Sequence, residues 1–278
     1  MTPPDDPVLA RYFSELRVIR DVSNQSYALY RRLLPSKPAP TKLEHWELVT
    51  RSVAIAESTS AAISSLIDQR HHLPALALTR VRFEQALVFS YLVHEQPDIG
   101  LKPYSRFAPI TEYRIAEAVT SEPMLAPHVP AQVNVDALKA KAVDAQLAIN
   151  PGFDLQAGRF QSKWTSLDLY SMALRRDVLA EKSQWIVSKH LRLAFLYTAL
   201  YKTGSSPVHA DGSMLVPPLW GQVTGADGHT QTEAATFWAL ALPPYVTHYD
   251  LLQCYEALRW AGADADAPFV ALSQTLVE

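Results

Sequence analysis

The stretch LPALALTRVRFEQALVFSYLV, residues 73–93, constrains this chain more than any other. From Pro74 to about Glu95 it predicts one helix, whose apolar residues Leu76, Leu78, Val81, Phe83, Leu87, Val88, Phe89, Tyr91 and Leu92 lie almost all the way round. A helix apolar on every face has to be enclosed by other helices or by lipid. No run of about 18 apolar residues occurs, so lipid is the weaker choice and a multi-helix protein is expected around it.

The remaining sequence supplies the neighbours. Asp6 and Pro7 start a first helix that reaches about Leu34, and PSKPAP (35–40) ends it. TKLE (41–44) reads as a capping box, Thr41 with Glu44, opening a second helix to about Gln69. Prolines 97, 103, 109, 123, 127 and 130 predict a crossover with one short helix over 111–120. Further helices are expected at 135–147, 166–179 and 181–202. The breakers between 204 and 232 predict a long loop, after which helices resume near Glu233, bend at Pro243 and Pro244, continue to Trp260 and end with a short one at 267–277. With no strand series and no repeat, the expected class is all-α: an irregular multi-helix bundle in a single domain, core about 41–203, with a C-terminal helical extension about 233–278.

Composition narrows the function classes. A net charge of −3 gives no global basic field, so nucleic acid is disfavoured. The single cysteine, Cys254, rules out an internal disulfide framework and fits a reducing compartment. MTPPDDPVLARYF lacks the basic and apolar run of a signal peptide, so a cytoplasmic protein is expected, neither secreted nor membrane-spanning.

Two places carry candidate chemistry. Arg80 and Glu84 are four apart on the central helix, where an unpaired charge is costly, so an ion pair is expected. The pair is either structural or orients a polar group in an interhelical pocket. The second place is YKTGSSPVH (201–209), where Tyr201, Ser205 and His209 follow at steps of four around a kinked turn. Imidazole beside a hydroxyl suits acid–base or nucleophilic chemistry, which makes His209 and Ser205 the catalytic candidates. Capping and packing is the plainer use of the same residues. His209, Asp211 and His229 match no recurrent metal-ligand spacing, and no phosphate-loop motif occurs; neither metal nor cofactor is expected.

The combination ALTRVRFE (77–84), KWTSL (163–167) and LYTALYKTGSSPVH (196–209) resembles DUF5677, a bacterial family of unknown function. The resemblance covers about residues 50–215. It implies an all-helical domain in which Arg80, Glu84, Trp164, Tyr201, Ser205 and His209 share one site. A more distant comparison is with HEPN-type helical ribonucleases of toxin and phage-defence systems. Their arginine-to-histidine motif is missing: Lys202 precedes His209, and lysine cannot grip a phosphate bidentately.

Three readings follow. One is a pocket binding a small polar or anionic ligand or a protein partner, with Arg80, Glu84, Tyr201 and Trp164 as its ligand residues. Another is a hydrolase or ribonuclease using His209. The third is a structural module acting through its surface, its polar cluster fixing helix register. A homo-oligomer stays open.

Overall fold

The computed structural model of the chain describes residues 7–69, 71–124, 126–128, 130, 133–154, 160–198 and 230–275. These form ten α-helices, and no strand occurs among them. By their contacts the residues fall into two compact units, one of 1–94 with 169–278 and one of 95–168.

The larger unit holds α1 (Pro7–Leu33), α2 (Leu43–Asp68), α3 (His72–His94), α6 (Leu169–Lys182), α7 (Ile186–His190), α8 (Leu193–Leu196), α9 (Thr230–Ala261) and α10 (Asp266–Gln274). The apolar helix α3 lies among α2, α6 and α9, as its composition requires. Helix α9 is the other centre: from Leu242 to Leu258 it is buried almost continuously, packed on α1, α2 and α3. Ala75 and Leu76 meet Leu242 and Val246 near one end of the α3–α9 seam. Arg82 meets Asp250 and Ser90 meets Glu256 further along, so the two helices run in the same direction.

Several boundaries differ from the sequence reading. The predicted capping box does not form, because Pro40–Lys42 makes a 3₁₀ turn that takes up Thr41, and Lys42 starts α2 without a side-chain cap. The Lys42 ammonium instead donates to the Trp260 carbonyl and lies over the Trp260 ring, closing the end of α9. The helix predicted over 181–202 is broken: α6 ends at Lys182, and α7 and α8 follow as short pieces. Helix α9 starts at Thr230, so residues 230–232 of the expected loop are helical, and the helix continues through Pro243 and Pro244. The rest of that loop lies outside the described residues.

The smaller unit holds α4 (Leu101–Ser121) and α5 (Val135–Ile149). Two of the prolines that suggested a crossover, Pro103 and Pro109, are absorbed by α4. Pro103 sits in its first turn, where the N–H has no helical partner to lose, and only Pro109 forgoes an interior bond. The stretch thereby builds a core of its own, with Ile110 and Tyr113 packed on Ala142 and Ala145 and flanked by Phe107 and Phe160. Asn134 caps α5 by accepting from the Ala137 N–H at 2.9 Å.

Candidate functional site

The described charged groups with most chemical potential are enclosed inside the larger unit. Asp250, Gln253 and Glu256 recur every three residues on α9 and receive donors from the surrounding helices. Four of the side chains involved, Arg82, Arg176, Asp250 and Glu256, expose no surface at all.

Around Asp250, Oδ1 accepts from the Tyr27 hydroxyl at 2.7 Å, the Ser60 hydroxyl at 2.7 Å, and Arg82 Nε and Nη2 at 3.1 and 3.0 Å. The Ser23 hydroxyl donates to Oδ2 at 2.5 Å. Arg82 Nη1 donates to Gln253 Oε1 at 2.7 Å, and the Gln253 amide passes the network on to the Ser52 carbonyl. Four helices, α1, α2, α3 and α9, are joined through one carboxylate. Burial works against the charge on Arg82, but Asp250 more than restores it, and the guanidinium pKa is raised. Burial, with Asp250 next to it, drives the Tyr27 hydroxyl and the Cys254 thiol well above their ordinary values, so both stay protonated.

Glu256 repeats the pattern two turns on. Its Oε1 accepts from Ser90 at 2.9 Å, Ser188 at 2.8 Å and Arg176 Nη2 at 2.7 Å, and His94 Nε2 lies 2.9 Å away. Arg176 also donates to the Ser90 hydroxyl at 2.6 Å and to the Leu191 carbonyl at 2.6 Å. Asp177, beside it, accepts from the Leu193 and Ala194 N–H groups and so anchors α8. Burial would raise the Glu256 pKa, yet Arg176 and His94 outweigh it and hold the carboxyl at about 2. The Trp185 ring covers His94, with centroids 4.4 Å apart.

The two clusters share one unit: an arginine Nε donates to a serine hydroxyl, that serine donates to a carboxylate on α9, and the same guanidinium closes the triangle. Arg82, Ser60 and Asp250 form one; Arg176, Ser90 and Glu256 form the other.

Of the residues singled out in the sequence, the described ones stand elsewhere. Arg80 and Glu84 do face each other, Nε 3.3 Å from Oε1, with the arginine side chain 12% exposed and the glutamate 37%. Arg82, two residues on, is the arginine that reaches the core. Trp164 packs edge-on against Tyr104 in the smaller unit, centroids 5.2 Å apart. Tyr201, Ser205 and His209, with Asp211 and His229, lie outside the described residues. Among the described residues no three His, Cys, Asp or Glu side chains gather as metal ligands, and no helix is long and apolar enough to cross a membrane.

Sequence reasoning missed Asp250, Glu256, Arg176 and Arg82. For the two acids the signal was three polar residues at steps of three along the apolar run YDLLQCYEALRW (249–260).

The fold and its core define an all-helical protein held by buried arginine–carboxylate pairs. The sequence model of DUF5677, described as a family of unknown function, matches residues 47–219, and the chain belongs to that family. No curated protein and no solved structure matches it. Both network arginines fall inside the matched segment, whereas Asp250, Glu256 and Tyr27 fall outside it.

Proposed function

We propose that this chain is a helical interaction module that acts through its surface, with the two arginine–serine–carboxylate triangles serving as an internal lock on helix register. The observation that carries this reading is enclosure: the buried ionic groups Arg82, Asp250, Arg176 and Glu256 are paired with one another and lie away from solvent. Replacing a buried ion pair by apolar residues is often neutral or stabilising, so this reading assigns the pairs to fixing one packing rather than to adding net stability. The test is to place a photo-cross-linking residue at surface positions Ala28, Leu174, Phe195 and Ala271 in the cells that make the protein. A recurring partner adduct at one of them is expected, and adducts at none would sink the module.

A second reading has its own observation. The Arg80–Glu84 pair lies between core and surface, the arginine largely covered and the glutamate more than a third exposed. That placement suits Arg80 holding an anionic group while Glu84 orients it, with Tyr201, Ser205 and His209 as the remaining donors of the family site. Calorimetric titration with inorganic phosphate tests it. Heat of binding that Arg80→Ala abolishes without lowering Tm supports the ligand site, and no heat in the wild type removes it.

A further inference from the structure

The outer faces of α1 and α10 enclose a groove of about 510 Å³. On α1 it is lined by Gln25, Ala28, Leu29 and Arg32, a complete i, i+3, i+4, i+7 set. On α10 it is lined by Pro268, Ala271, Leu272 and Thr275, the same spacing again. Such spacing marks one face of a helix, and here each face carries a leucine, Leu29 or Leu272, between smaller and polar residues. Here two helices turn that face toward a shared gap, with small exposed alanines, Ala28 and Ala271, and with the more buried leucines Leu29 and Leu272 beneath.

The geometry points to this groove as the docking site for an amphipathic helix of a partner protein, one with apolar anchors at i, i+3, i+4 and i+7 and a carboxylate beside them. The spacing on both walls calls for a third helix, because a helix is the element whose side chains recur at matching intervals. Charge selects the partner. Arg32, at the rim, makes no ion pair among the described residues, whereas its neighbour Arg31 is held by Glu57 at 2.7 Å. An apolar helix bearing an acid fits both the wall and the cation, and the alanines leave room for bulky anchors. This inference rests on the interaction-module reading and names the surface that the module would use.

The probe is a designed 16-residue amphipathic helix with leucine anchors at that spacing and a glutamate beside them, together with a twin carrying lysine in place of the glutamate. Both are read by fluorescence anisotropy against the full chain. The acidic probe is expected to bind and the lysine twin to bind more weakly. Arg32→Glu should weaken the acidic probe about fivefold and improve the twin, the scale of a rim ion pair reversed. Ala28→Trp, which fills the groove from an exposed position, should abolish binding of both at unchanged Tm. No binding of the acidic probe, or binding that Ala28→Trp leaves intact, overturns the docking site. So does self-association of the wild type that Ala28→Trp removes, since the occupant would then be a second copy. The cross-linking positions separate the two levels: adducts at Leu174 without any at Ala28 or Ala271 sink the groove and spare the module, and adducts nowhere sink both.

Discussion

Asp250 and Glu256 sit six residues apart on one helix, each tied to an arginine through a serine, yet they distribute their bonds differently. Asp250 uses both oxygens, Oδ1 for Tyr27, Ser60 and Arg82 and Oδ2 for Ser23. Glu256 gathers all four of its contacts on Oε1, and its Oε2 is buried with no hydrogen-bond partner among the described residues. Asp250 joins the long helices, whereas Glu256 ties α3 and α9 to the short, interrupted pieces that follow α6. The same triangle therefore does two jobs: one fully bonded to fix the bundle, the other one-sided and able to tolerate a change at its bare oxygen.

The comparison breaks most visibly if one partner is removed. Arg82→Met and Asp250→Leu should each destabilise by about 4 kcal/mol in denaturant melts, because each leaves a buried charge without its counter-ion. The double variant should lose much less than the sum, and simple additivity would show that the pair is not coupled.

Acid should act next, through Glu256. Its folded pKa of about 2 lies below the ordinary value of 4.5, so its stabilisation is complete above about pH 4.5 and is lost as pH falls toward 2. That window carries on the order of 3 kcal/mol. Stability measured between pH 6 and pH 2.5 should fall more steeply in the wild type than in Glu256→Gln.

Conservative amides sharpen the contrast. Asp250→Asn places an NH₂ where one oxygen was accepting a bond, whereas Glu256→Gln can point its NH₂ at the bare side and keep Oε1 for its donors. At pH 7, Asp250→Asn should cost at least about 1 kcal/mol more than Glu256→Gln. Equal costs would mean that the uneven bonding has no energetic meaning.

The smallest effects separate the arginines of α3. Tyr27→Phe removes one donor to Asp250 and should cost about 1 kcal/mol. Arg80→Ala, whose partner Glu84 is partly exposed, should cost less than about 1 kcal/mol, far below Arg82→Met in the same melts.

The class of fold was legible because periodicity and breakers are local. A helix apolar all round needs enclosure, and α3 has it. The Arg80–Glu84 pair was legible for the same reason, four residues being one helical turn. Arg82 was not. Its partner lies 168 residues away, and nothing within a turn of Arg82 marks it as the arginine that faces inward. Prolines misled in α4 because Pro103, in the first turn, breaks nothing, and Pro109 is accommodated inside the helix. Asp250 and Glu256 stand out once α9 is taken as buried, since carboxylates on an enclosed apolar helix must be paired. What the sequence could not supply was the pairing itself, which only the packing of α1, α2 and α3 on α9, and of α6 on α3, determines.

The position of α9 also sets an order of events. Arg82 and Arg176 leave the ribosome before Asp250 and Glu256, and a chain ended at residue 219 would contain both guanidiniums and neither of these two acids, leaving Arg176 only its neighbour Asp177. The centre of the larger unit therefore has to wait until α9 has been made before it can close. Long-range contacts of this kind slow folding, and a fragment cut at the family boundary is expected to remain open until a peptide carrying α9 is added back.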